Sequence, residues 1–203
     1  MARKRKTWSR KFECNILRVY NDARPEEREA GLHWYLNANR AAAGIAERYG
    51  ITVEQSAGVI AALSPGLEWG LNISHADQLI AAWREGKQIP LVGTYGWNNI
   101  RKAQRILEGE NPAEVLNSRT GPKTHAFYHC IARPDRSQHV TIDRHAACLA
   151  HYELFDRKKR SSVSIHQYAF YAWHYKRIAE RLGLRPHQLQ AITWTVWKRI
   201  LDE

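Results

Sequence analysis

Apolar residues recur every three to four positions along most of this chain, and turn-forming residues interrupt them at intervals that suit helices. Residues 25–50 open with Pro25, carry Glu26, Glu27 and Glu29 in the early turns and stop at Gly50. Proline is preorganised for a first helical position and glycine for the residue past the last, so one long helix is predicted there. Leu32, Tyr35, Leu36, Ala42, Ile45 and Ala46 form its apolar stripe, small enough in the middle for close packing. Thr52 with Gln55 three residues later is a capping-box pattern. The apolar run through Val59, Ile60 and Leu63 then predicts a central buried helix that ends at Ser64-Pro65-Gly66.

Further helices are predicted over residues 67–86, closed by Gly86, and 97–110, whose basic face carries Arg101, Lys102 and Arg105. Asn111-Pro112 admits a short helix over 112–118. Ser164 and Gln167 repeat the capping-box pattern ahead of a helix ending at Gly183, and Pro186 starts the last helix. Tyr168, Tyr171 and Tyr175, and likewise Trp194 and Trp197, fall at helical spacing and read as core anchors. The fold class expected is all-α, with no internal repeat and no low-complexity linker. The basic stretch 156–162 is a candidate junction between lobes.

Net charge changes this picture more than composition does. Hydrophobic and charged shares of 44% and 25% are ordinary, whereas the formal charge is +11. Such a field attracts polyanions, and eight tryptophans among abundant aromatics supply stacking surfaces as well as buried anchors. Nucleic acid is therefore the leading partner class, ahead of acidic membrane surfaces. No apolar run is long enough to span a bilayer, so no membrane insertion is expected. Residues 1–12, basic and without a signal-peptide core, read as a flexible arm for a phosphate backbone or as a solubilising tail. Cys14, Cys130 and Cys148 are odd in number and far apart, which offers neither a disulfide framework nor a Cys-rich metal or iron–sulfur site. A reduced, cytoplasmic setting follows, with monomer as the default state.

Chemistry-bearing residues concentrate in Gly121–Ala150, "GPKTHAFYHCIARPDRSQHVTIDRHAACLA". A helix from Thr124 to about Ala132 has free backbone N–H groups at its start, where Gly121 lets a phosphate approach and Lys123 adds charge. "VTIDRHAACLA" reads as an extended approach followed by a second helix with Asp143 near its N-cap. His125 and His129 stand at i, i+4, a spacing that can bind zinc, yet no Glu-rich neighbour completes a catalytic signature. They are read as surface or packing histidines, with no metal and no cofactor expected.

Gly-x-Lys-Thr, a helix, then Asp-x-His opening another helix is a pattern that resembles the helix-hairpin-helix (HhH-GPD, endonuclease III-like) DNA glycosylase superfamily. "AALSPGLEWGLN" at 61–72 is similar to that family's apolar helix, Leu-Ser turn and asparagine-bearing helix. "YGWNNIRKAQRILEGENPAEVL" at 95–116 is similar to its Gly-aromatic segment and Lys-Ala helix. The likeness runs in order over residues 53–150. It implies a two-lobed helical domain over 13–203, with residues 163–203 completing the second lobe.

The resemblance implies that Asp143 is the catalytic carboxylate and that Lys123 matches the lysine that attacks the sugar in members with lyase activity. Gly121 matches the hairpin's second glycine and His145 the histidine after the aspartate. Double-stranded DNA is the implied partner, gripped by Arg119, Gly121, Thr124, Arg101, Lys102 and the run Arg157, Lys158, Lys159 and Arg160. Ser64, Trp69, Asn72 and His145 are the implied base-pocket or wedge positions.

The departures are specific. Leu116-Asn117-Ser118-Arg119-Thr120-Gly121 stands where the family has Leu-Pro-Gly-x-Gly, and Pro65-Gly66-Leu67-Glu68-Trp69 follows the serine in place of a polar wedge. The four-cysteine cluster is absent, which makes this a clusterless variant with aromatic terminal helices in its place. Asp143 also fits a plain helix cap, and Lys123 a plain phosphate contact. The function expected is excision of a damaged or modified base from duplex DNA by base flipping, with or without AP-lyase activity. The alternatives are a non-catalytic DNA-binding protein on the same scaffold and, on charge and aromatics alone, a binder of structured RNA.

Overall fold

The computed structural model describes the backbone of residues 2–94, 96–153 and 163–202, and within those ranges the side chains from residue 10 onward. Ten helices and no strand occur among the described residues: α1 (Ala2–Asn21), α2 (Pro25–Tyr49), α3 (Val53–Leu63), α4 (Trp69–Arg84), α5 (Trp97–Leu107), α6 (Pro112–Val115), α7 (Pro122–Ala132), α8 (Arg144–His151), α9 (Ile165–Arg181) and α10 (Pro186–Asp202). The all-α reading of the sequence holds. The chain divides into two compact units, Met1–Tyr35 with Ser137–Glu203, and Leu36–Arg136. The divisions therefore fall after residues 35 and 136; the basic stretch 156–162 lies outside the described residues.

In the unit Leu36–Arg136, α3 is the hub, packed against α4, α5, α6 and α7. Every residue from Ser56 to Leu63 is buried, which suits a helix apolar nearly all round. Thr52 and Gln55 form the full capping box that their spacing predicts. The Gln55 amide also donates from Nε2 to the Ile106 and Leu107 carbonyls at 3.2 and 3.3 Å, closing the C-terminus of α5. Asn39 does the same for α7, donating to the Ile131 carbonyl at 2.9 Å and the Ala132 carbonyl at 3.2 Å. Carbonyls left over in a last helical turn need such partners when they lie close to the core.

The other unit is built from α1, the start of α2, α8, α9 and α10. The segment expected to be a basic arm is helical in its backbone, since α1 begins at Ala2. Phe12, Ile16 and Val19 recur at helical spacing and are buried, so the cause is an apolar stripe in the second half of the helix. Asn15 donates to the Ala150 carbonyl at 2.9 Å and closes α8. Gly31 faces α10 so closely that a Cβ there would lie 2.5 Å from the Ile192 Cα. Tyr175 is fully buried, and burial pushes its phenol pKa well above the usual value. The tyrosine stripe and Trp197 are core, as their spacing predicts, whereas Leu36 in the stripe of α2 is exposed.

Candidate functional site: the approach to α8 and the turn before α7

Asp143 stands at the end of an extended segment pinned on both sides. The Tyr168 hydroxyl donates to the Val140 carbonyl at 2.6 Å, and the Ile142 N–H approaches the same hydroxyl at 3.5 Å. Between them, Thr141 Oγ1 lies 2.9 Å from the Tyr35 hydroxyl, which is 3.0 Å from Gln190 Oε1. Val140, Thr141 and Ile142 are all buried, so three β-branched residues fix the line on which the chain enters α8. Asp143 is then the N-cap, in extended conformation, and its Oδ1 accepts the Ala146 N–H at 2.8 Å.

No further hydrogen bond or ion pair to the Asp143 carboxylate occurs among the described residues, and the side chain is half-buried. Its charge helps to hold the neighbouring Tyr175 phenol protonated, after burial and against the bond to Thr193. His145, the second residue of α8, is half-buried as well. The arrangement supplies one carboxylate whose position is set by backbone and core, with one oxygen used for the cap.

In the other unit, α6 and α7 pack together and are joined through residues 116–121. Asn117 organises that turn: its Oδ1 accepts the Arg119 N–H at 2.7 Å and its carbonyl accepts the Gly121 N–H at 2.9 Å. The asparagine side chain copies a backbone turn and so holds this connection without a glycine-rich sequence. The imidazole of His125 donates from Nδ1 to the Leu116 carbonyl at 2.9 Å, tying α7 back to the start of the turn.

Gly121 is the N-cap of α7, and Pro122 and Lys123 are its first two residues. Glycine is favoured here by contact, not by dihedral angle: a Cβ would lie 2.9 Å from Thr124 Oγ1, so the threonine hydroxyl, which donates to the Gly121 carbonyl at 3.0 Å, would have to move. Lys123 is half-buried and Arg119 exposed. On α5, Arg101 is exposed and Lys102 half-buried, while Arg105 is tied to Glu110 by two bonds of 2.6 and 2.5 Å. None of Lys123, Arg119, Arg101 and Lys102 has an ion-pair partner among the described residues, so the start of α7 and the outer face of α5 keep their cations available to an anion.

The remaining sequence candidates are placed less openly. Ser64 caps α3, and its hydroxyl donates to the Ala61 carbonyl at 2.9 Å. Trp69 is half-buried, edge-on to Phe127 with ring centroids 6.4 Å apart. Asn72 is buried, and its Oδ1 has no hydrogen-bond partner among the described residues. Arg157, Lys158, Lys159 and Arg160 lie outside the described residues. The sequence reading passes over the outer face of α9, where exposed Trp173 precedes Lys176 on the side opposite the tyrosine stripe. The signal was an aromatic three residues before a lysine, hidden by the regularity of the tyrosines.

Among the described residues, no helix is long and apolar enough to cross a membrane. No curated protein and no solved structure matches the chain. Residues 1–200 match the family of unknown function DUF7178, and the chain belongs to that family.

Proposed function

We propose that the protein is a DNA glycosylase: a two-lobed, clusterless relative of the helix-hairpin-helix enzymes, with α6, the Asn117 turn and α7 as a divergent hairpin. The observation that carries the reading is Asp143, a carboxylate fixed at the start of α8 with only Oδ1 engaged in the cap. The charge of +11, and Arg101, Lys102, Arg119 and Lys123 without ion-pair partners among the described residues, support a polyanionic partner.

A glycosylase draws a nucleotide out of the stack, at a cost of a few kcal/mol that is least for damaged or mismatched positions. The C1′–N bond then breaks with its electron pair on the departing base, which leaves cationic character on the sugar. Oδ2 of Asp143 stabilises that cation and accepts a proton as water adds to C1′. Where the Lys123 amine adds to C1′ instead, loss of a proton and ring opening, with O4′ leaving as a hydroxyl, give an imine. Loss of a C2′ proton then expels the 3′-phosphate by β-elimination, and that step makes the enzyme a lyase as well. Lys123 and Asp143 belong to different units.

A non-catalytic DNA-binding protein is the second reading, favoured by the fact that Asp143 already serves as a helix cap. Release of free base from DNA separates the two. The glycosylase reading requires a released base, and binding without release from any damaged or modified DNA rejects it.

A further inference from the structure

On the outer side of α9, an open groove of about 470 Å³ is lined by Trp173, Lys176, Arg177 and Glu180 together with Gln138, Leu184 and Pro186. Trp173 is 50% exposed, unusual for the largest side chain on a helix whose other face is core. Its ring is not loose. The Arg177 guanidinium lies over it, 4.8 Å from the centroid, and is itself held 3.1 Å from Glu13 of α1. Glu13 is buried between α1 and α9 and also meets His174 at 3.1 Å. A buried carboxylate thus positions a guanidinium, which in turn positions an exposed indole.

Lys176 is exposed in the same groove, one helical turn from Trp173, and has no ion-pair partner among the described residues. Gln138 offers both a donor and an acceptor, and Leu184 and Pro186 form apolar walls. A preset aromatic plane with one unspent cation beside it is the combination that holds an unpaired nucleotide: the base stacks and the phosphate takes the charge. The formal charge of +11 adds a long-range pull on a nucleic-acid strand.

We propose that this groove binds one unpaired nucleotide of a DNA strand, with Trp173 as the stacking platform and Lys176 on the phosphate. The inference rests on the nucleic-acid part of the proposed function and is independent of base excision.

The test is fluorescence anisotropy with labelled oligo-dT and with a duplex of the same length, on the full chain. Trp173→Ala is expected to weaken oligo-dT binding roughly 5- to 100-fold while changing duplex affinity less than about twofold. Trp173→Phe, which still stacks, is expected to retain oligo-dT affinity within about threefold. Lys176→Gln should lower the slope of log affinity against log salt by about 0.7 for the single strand. Thermal melting of each variant keeps the outcome readable; if Trp173→Ala does not fold, the Phe and Gln variants decide. Unchanged oligo-dT binding in Trp173→Ala, an equal loss for duplex and single strand, or a Phe variant as weak as the Ala variant would overturn the proposal. Base release with no effect of Trp173→Ala rejects this groove and spares the glycosylase. Loss of oligo-dT binding in a protein that releases no base does the reverse.

Discussion

Asp143 Oδ1 holds the Ala146 N–H at 2.8 Å, so the carboxylate proposed to face a sugar cation also begins α8. The two roles are separable because asparagine caps a helix about as well as aspartate but carries no charge. Asp143→Asn is expected to unfold in urea within a few tenths of a kcal/mol of wild type, and Asp143→Ala to lose about 1 kcal/mol. A stability loss as large in the Asn variant would mean that the charge is structural.

Lys123 is the second residue of α7 and is without an ion-pair partner among the described residues. Whether it is a nucleophile or a phosphate contact, Lys123→Gln should reduce the salt slope for duplex binding by about 0.9. Borohydride added during reaction with DNA containing an abasic site distinguishes the two. A covalent adduct lost in Lys123→Gln assigns the amine to the chemistry, and no adduct leaves it on the backbone.

Two glycines of α2 should respond to alanine with opposite signs. A Cβ at Gly31 would lie 2.5 Å from the Ile192 Cα, while one at Gly44 has nothing within 4 Å. Alanine normally stabilises a helix interior by about 1 kcal/mol over glycine, so Gly44→Ala should gain about 0.5–1 kcal/mol. Gly31→Ala must push α10 away and is expected to lose at least about 1 kcal/mol net. Chemical denaturation of the pair checks this, and a stabilised Gly31→Ala would contradict the close packing of α2 on α10.

Stability should fall in mild acid for a defined reason. His187 is buried edge-on to Tyr35, with ring centroids 5.1 Å apart, and burial drives its pKa from 6.5 down to about 4, helped by the charge of Arg185. His174 is lowered too, by burial, with Glu13 pulling the other way. Below pH 6.5 the unfolded chain takes up protons that the folded one refuses, so folding loses free energy as pH falls toward 4. His187 alone should make the protein about 2 kcal/mol less stable at pH 5 than at pH 7.5. Urea unfolding at the two pH values, with His187→Asn as a variant lacking most of that difference, tests the assignment.

Local features were the legible part of this sequence. The capping boxes at Thr52–Gln55 and Ser164–Gln167 are present as their spacing predicts, because each is settled within one turn of helix. Residues 1–12 read as an arm because their lysines and arginines dominate, and the stripe of Phe12, Ile16 and Val19 that continues the helix gains its value from packing against α8, α9 and α10. The contacts that place Asp143 were not legible. Tyr35, Thr141 and Gln190 meet across separations of 106 and 155 residues, which no periodicity encodes. Trp69, singled out beside a Pro-Gly turn, lies against Phe127, while Trp173, on the face of α9 opposite the tyrosine stripe, is exposed.

Excision of a base is the central claim, and the most direct test is mass spectrometry of free bases released from mixed DNA that includes damaged and naturally modified samples. Wild type and Asp143→Asn would be run side by side, with strand cleavage at abasic sites scored in the same reactions. A base released by wild type and not by the Asn variant is the predicted result, and its mass identifies the substrate. Equal release by both proteins would remove Asp143 from the chemistry, and tight DNA binding with no release from any sample would contradict the glycosylase.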